Sequence, residues 1–253
     1  MKQVKIFFIA IFFLTFYSPD SHAAVVSVAV AANIQYAFAE LQAAFEGQSV
    51  HRLLPSFNSS GRLVSQISLG APFDVFLAAD TDYPQAVQRA GFAATPPVVY
   101  AQGVLVLWTL NALNLSEWQK TLAASSVKRI AIANPATAPY GRATEQALVY
   151  YGLRPTLESK LVFAESIAQT NQYIHARAVD IGFTAKSVVT SAALRGQGFW
   201  VEVPAQSYRP ILQAMLITKH GISNQPEGSR QFHDFMLSPT ARQILMRNGY
   251  LPP

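Results

Sequence analysis

Residues 25–45 read VVSVAVAANIQYAFAELQAAF, and this stretch decides the fold. Residues 25–32 are all small or β-branched and, Ser27 apart, apolar, the composition of a strand covered on both faces. Asn33 stands where a helix N-cap belongs. Ile34, Phe38, Leu41 and Phe45 then recur at offsets of four, three and four, one face of an α-helix. A buried strand that passes through a polar residue into a helix leaves the N–H groups of the first helical turn without partners above the strand end. That is an anion site in outline.

Outward from this stretch the same unit recurs. Residues 51–57 read as a second strand and Asn58-Ser59-Ser60-Gly61 as its turn, with Ser60 placed to cap a short helix carrying Leu63, Val64 and Ile67. Residues 73–79 predict a third strand, and a helix from Asp80 stops at Gly91. Residues 98–110 are a long apolar run interrupted by Gly103, read as the chain leaving one lobe for a second. There, residues 128–133 predict a strand, and a loop holding Pro135 and Pro139 precedes a helix from Gly141 to Gly152. Ser166 caps a helix over 167–178, which leads to a strand at 180–184 and a further helix near Ala185. Residues 199–203 predict a strand, 210–218 return the chain, and 226–248 hold two helices broken at Ser238-Pro239. The alternation predicts an α/β protein whose sheets are mostly parallel and flanked by helices. Right-handed crossovers would gather the strand ends and helix starts on one side. The expected organisation is residues 24–105 plus 206–253 in lobe I and 106–205 in lobe II.

Residues 1–23 carry the marks of a secretory signal peptide: Lys2 and Lys5, an apolar stretch at 6–17, and the small-x-small site Ser21-His22-Ala23. A soluble periplasmic protein is expected after cleavage. The chain has no cysteine, which excludes disulfides, thiolate metal sites, thiol catalysis and a lipidated cysteine anchor. With 51% hydrophobic residues it can build substantial cores. The net charge of +5 is mild and falls by one without Lys2, Lys5 and Asp20. The basic residues are scattered, so neither nucleic acid nor a membrane surface is expected as partner.

Catalysis finds little support. Ser59 and Ser60 lack the flanking pattern of a nucleophile elbow, and helix capping explains them. The histidines show no HxH or HxxxH spacing, and His51, His175, His220 and His233 stand singly. Asp74 and Asp80 are expected to divide into a strand-edge carboxylate and a helix cap. No Walker or dinucleotide glycine fingerprint is present. The protein is therefore expected not to be an enzyme and to need no cofactor.

The collective pattern says more. Helix starts at Asn33, Ser60, Tyr140-Gly141 and Ser166-Ile167 each follow a strand or loop with little charge in the first turn. Two in each lobe, converging on one side, would hold a dianion by N–H groups and hydroxyls, without lysine or arginine. A fully deprotonated oxyanion suits a site made of donors, because it has no proton to offer. Arg62 and Arg142 follow two of these starts and are expected to project to solvent; recruited as a clamp, they would instead suit an organic carboxylate.

VAVAAN, SFNSSG, GAPFDVFLAAD, AIANPATAPYG, FAESIAQTNQYI, DIGF and the terminal RNGYLPP together resemble, in order and spacing, the periplasmic molybdate-binding proteins of molybdate ABC transporters. The resemblance implies a two-lobed type II periplasmic binding protein, monomeric, that closes over one molybdate or tungstate and delivers it to a membrane permease. Carried over by motif, the oxyanion ligands would be Asn33 with Ala32 beside it, Ser60 through hydroxyl and amide, and the backbone amides of Tyr140 and Ile167. No metal-cation ligands are implied. Some members place a ligand tyrosine after the strand equivalent to residues 180–184; this chain has Ala185 there, in DIGFTAKS. The alternatives are another anion in the same fold, sulfate or a small organic carboxylate, and, more remotely, a secreted serine hydrolase or an interaction module without ligand.

Overall fold

The computed structural model describes residues 23–253. The expected signal peptide, all but Ala23, lies outside the described residues. Strands run in chain order as β1 (Val25–Ala31), β2 (Arg52–Asn58), β3 (Val75–Ala78), β4 (Val98–Gly103), β5 (Leu105–Thr109), β6 (Ile130–Ala133), β7 (Leu161–Ala164), β8 (Ile181–Ala185), β9 (Phe199–Glu202) and β10 (Ile211–Ile217). The helices are α1 (Gln35–Glu46), α2 (Ser60–Ser68), α3 (Asp82–Arg89), α4 (Trp118–Ala123), α5 (Pro139–Tyr150), α6 (Arg154–Leu157), α7 (Ile167–His175), α8 (Lys186–Val189), α9 (Lys219–Asn224), α10 (Pro226–Met236) and α11 (Pro239–Arg247).

These strands build two sheets, ordered β2-β1-β3-β10-β4 and β7-β6-β8-β5-β9. The parallel pairing read from the sequence holds at the heart of each: β1 lies parallel to β2 and β3, and β6 to β7 and β8. β10 and β5 instead run antiparallel to both of their neighbours. They are the strands by which the chain passes between lobes: β4 ends at Gly103 in one sheet, and β5 begins at Leu105 in the other. Apolar composition marks such strands as buried but carries no information on their direction.

β1 is buried on both faces, as its composition requires. Val26, Val28 and Val30 pack with Ile34, Phe38, Leu41 and Phe45 of the next turn and helix, together with Phe232 of α10 and Ile244 of α11. On the other face Ala29 meets Leu63 and Ile67 of α2, Phe76 and Leu216. Phe38 and Phe232 meet edge to face at 6.1 Å. Truncating a ring such as Phe38 would cost about 3–5 kcal/mol. The second lobe centres on Trp108, Ile132, Phe183 and Leu148.

Register positions the site. Ala31 pairs with Asn58 and Val30 with Leu77, so the turns after β1, β2 and β3 stand side by side. Ala133 pairs with Ala164 in the second lobe and brings the turns after β6 and β7 together likewise. In both lobes the carboxyl ends of the parallel strands hold these turns, where open α/β sheets place their ligands.

The helix starts differ in detail from the expectation. Asn33 does not cap a helix: Ala32–Ile34 forms a 3-10 turn, and α1 begins at Gln35 with no side-chain cap. The Asn33 amide is drawn into the protein by buried partners. Ser59 occupies the cap position of α2 and Ser60 is its first residue. The second-lobe helix α5 starts at Pro139, earlier than Gly141, because proline at the first position needs no N–H partner and already has a helical φ. α9 lies inside a stretch that the sequence left as connection. Among the described residues, no helix is long and apolar enough to cross a membrane.

Candidate anion-binding site

The turns of the two lobes face one another across a small cavity. Ala31, Ala32, Asn33, Ser59, Ser60 and Ala79 line it from the first lobe, and Ala138, Pro139, Tyr140 and Ile167 from the second. All five positions singled out in the sequence, Ala32, Asn33, Ser60, Tyr140 and Ile167, are therefore brought to one place. Among the described residues, no charged side chain lines it. Its volume of about 10 Å³ is on the scale of a single water. Slight opening would admit a compact inorganic ion; an organic acid would need the lobes far apart.

What lines the cavity is donors. Ser60, Tyr140 and Ile167 lie in the first turns of α2, α5 and α7, whose N–H groups have no partner within their helices. The helix dipoles add positive potential at the same point. Ser166 caps α7, its hydroxyl accepting from Gln169 N at 3.3 Å, which leaves the Ile167 N–H free for a ligand. Gly141 lets α5 approach β6, since a Cβ there would stand 2.2 Å from the Ala133 carbonyl oxygen.

The two serines behave differently. Ser60 Oγ accepts from Ala79 N at 3.0 Å, tying the turn after β2 to the one after β3. Ser59 Oγ is buried without a partner. Capping would have consumed that hydroxyl, and the sequence reading gave the site role to Ser60 alone. The doubled serine at a helix start was the signal for both. Ala79, next to Asp80 in LAAD, was also missed, because an alanine carries no chemical mark.

Behind the cavity lies a buried polar network. Asn33 Nδ2 donates to Gln213 Oε1 and to the Tyr250 hydroxyl, both at 2.8 Å. The Asn33 carbonyl accepts from Ser187 Oγ at 2.8 Å and from Tyr250 at 3.1 Å. Gln213 Nε2 donates to the carbonyls of Ile211 and Ala79. Asn33 Oδ1 is left without a partner. Burial pushes the phenol of Tyr140 well above its ordinary pKa, with the nearby Tyr250, Tyr208 and Tyr100 adding to the shift. It stays protonated and is a donor.

The lobes meet over the cavity. Gly61 N donates to the Thr137 carbonyl at 2.9 Å, and the Tyr83 hydroxyl to that of Ala136 at 2.9 Å. Neither arginine enters the cavity. Arg62 remains more than half exposed but pairs with Glu165 of the other lobe at 2.6 Å. Arg142 departs further from the solvent expectation, pairing with Asp80 and lying 4.8 Å over the Tyr83 ring. Burial raises the Asp80 pKa to about 6, its bond from Tyr83 N and the Arg142 charge opposing the shift. Asp80 accepts from Tyr83 N in the first turn of α3, while Asp74 sits at the strand edge and accepts from Ser27 N at 2.7 Å. That is the division of roles expected for the two carboxylates. His220 binds Asp74 at 2.9 Å, and His51 accepts from Ala24 N. Among the described residues, no histidine lines the cavity and no three His, Cys, Asp or Glu side chains gather as a cation site. Ala185 is fully buried at the end of β8.

Residues 26–251 match the family model described as bacterial extracellular solute-binding protein. The chain belongs to that family. It is 37% identical over 232 residues to the molybdate-binding protein ModA of Azotobacter vinelandii, covering 91% of each chain. It is 34% identical to the molybdate-binding protein ModA of Rhodobacter capsulatus, covering 89% of this chain and 88% of the other. The solved periplasmic molybdate-binding protein of A. vinelandii superposes with a TM-score of 0.84, spanning 90% of this chain and 99% of that one. Two lobes with the site in the cleft, each a helix-flanked sheet with a mostly parallel core, are the architecture of a solute-binding protein of this family.

Proposed function

We propose that this protein binds molybdate in the periplasm, and tungstate through the same donors, for delivery to the membrane permease of an ABC transporter. The observation that carries the reading is a charge-free cavity lined by helix starts of both lobes and by two serines of the first. Its ligands are the Ser60 amide with the Ser59 and Ser60 hydroxyls, the turn at Ala32 and Asn33, and the amides of Tyr140 and Ile167. The kinship with the molybdate-binding proteins of Azotobacter vinelandii and Rhodobacter capsulatus supports the choice of ion and the periplasmic location. The protein acts as a monomer, by binding and release rather than catalysis, and requires no further cofactor.

Closure follows from differential affinity. Each lobe offers only part of the donor set, so the anion favours the closed arrangement by the free energy of the contacts it gains there. Sulfate carries the same charge on shorter bonds and reaches fewer donors at once. Phosphate retains a proton near neutral pH, and a proton facing only donors costs about 1–3 kcal/mol. Thermal unfolding with each of molybdate, tungstate, sulfate and phosphate tests the reading. At a hundred times the dissociation constant a true ligand adds about 2.7 kcal/mol. Large shifts with molybdate and tungstate but not sulfate are expected; an equal sulfate response would overturn the selection by size, and silence from all four the anion reading itself.

A further inference from the structure

Tyr140 belongs to the second lobe, yet its hydroxyl ends inside the first. The residue is 1% exposed, and its ring leads from the start of α5 to the crossover. A Cβ built on Gly103 would stand 2.1 Å from the Tyr140 hydroxyl oxygen, 2.9 Å from Cζ and 3.0 Å from Gln213 Nε2. Gly103 closes β4 and pairs with Ile211 of β10, and the next strand already lies in the other sheet. It sits in ordinary extended backbone within that strand, so its lack of a side chain answers to space. That space is filled by the phenol.

The same phenol lies beside Asn33, whose side chain acts on its ionisation. Asn33 is held from behind by Gln213 and Tyr250, which take its amide N–H groups, and burial keeps the Tyr140 hydroxyl protonated. Asn33 and Tyr140 both also line the anion cavity, one from each lobe. Gln213 completes the arrangement by holding the Asn33 amide and the Ala79 carbonyl together.

We propose that the Tyr140 phenol is a positioning group that sets anion selectivity: seated in a first-lobe socket made by Gly103, Gln213 and Asn33, it fixes the second-lobe N–H donors against those of the first. The inference rests on the anion-binding reading and deepens it. Selection by size requires donors held at fixed separation across the cleft, because lobes free to settle closer would accommodate the smaller sulfate. The phenol supplies a spacer of fixed length between the turn after β1 and the start of α5.

The test compares Gly103→Ala, Tyr140→Phe and the double variant, titrated calorimetrically with molybdate and with sulfate, alongside thermal unfolding of the ligand-free proteins. Gly103→Ala displaces the hydroxyl and is expected to weaken molybdate binding at least tenfold and narrow the molybdate-to-sulfate ratio. Adding Tyr140→Phe removes the atom in conflict and is expected to restore most of the loss. Tyr140→Phe alone, which takes the hydroxyl out of the socket, is expected to narrow the ratio while the ligand-free unfolding temperature changes little. Wild-type affinity and ratio in Gly103→Ala, or no recovery in the double variant, would overturn the proposal. Should Gly103→Ala not fold, an unchanged ratio in Tyr140→Phe does so by itself. A wild-type protein that binds neither anion would overturn the functional reading instead.

Discussion

Ser59 and Ser60 are adjacent, both buried and both at the cavity, yet replacing each by alanine should have different consequences. Ser60 Oγ accepts the Ala79 N–H within one lobe, a bond present whether the lobes are open or closed. Ser60→Ala strands a buried donor and should lower the stability of the ligand-free protein by about 1–3 kcal/mol. At about 2–4 °C per kcal/mol for a chain of this size, the unfolding midpoint should fall measurably. Ser59 Oγ has no protein partner and does not cap its helix, so Ser59→Ala removes no internal bond. Water serves that hydroxyl when the lobes part, and ligand-free stability should change by less than about 0.5 kcal/mol. Its cost appears on binding. A hydrogen bond to a charged group is worth about 1.5–3 kcal/mol, which is about 10–150-fold in the molybdate dissociation constant. Calorimetric titration with molybdate and thermal unfolding without it measure the two quantities separately. If Ser59→Ala destabilises the free protein as much as Ser60→Ala, or binds molybdate within about twofold of wild type, the assignment of Ser59 Oγ to the ligand is wrong.

Asp80 predicts a pH dependence. Its pKa is raised from 3.8 to about 6 by burial, so the folded protein binds an extra proton between those values, and stability should fall as pH rises through that window. The effect is at most about 3 kcal/mol, and urea unfolding should show the slope flattened in Asp80→Asn. Gly141→Ala drives a Cβ against the Ala133 carbonyl and should cost about 1–3 kcal/mol of stability together with most anion affinity, read by the same two assays. Arg62→Ala breaks an exposed pair with Glu165 and should change stability by less than about 1 kcal/mol; any loss of affinity should vanish in high salt, as titrations across ionic strength would reveal.

Much of the fold was legible because its signals are local. The faces of β1 and α1 follow from periodicity, and Ile34, Phe38, Leu41 and Phe45 are all buried as their spacing requires. The Ser166 cap is likewise written next to the helix it serves. What escaped was set by distant partners. Asn33 looked like a cap, but Gln213 and Tyr250, far along the chain, claim its amide. Arg142 looked solvated until Asp80 arrived from the other lobe, and Ala79 became part of the wall only through the pairing of β1 with β3. The antiparallel course of β5 and β10 likewise depends on how the chain is threaded between two sheets, which no window of residues records.

The donors at Tyr140 and Ile167 belong to the main chain, which changes how the site withstands mutation. A replacement side chain leaves the peptide N–H in place; among the encoded residues, only proline deletes it. No single-base change turns a tyrosine or isoleucine codon into a proline codon, so the amides at these positions are beyond the reach of point mutation. Random substitution can alter the cavity's walls, and through them its selectivity, far more readily than it can abolish its attraction for an anion.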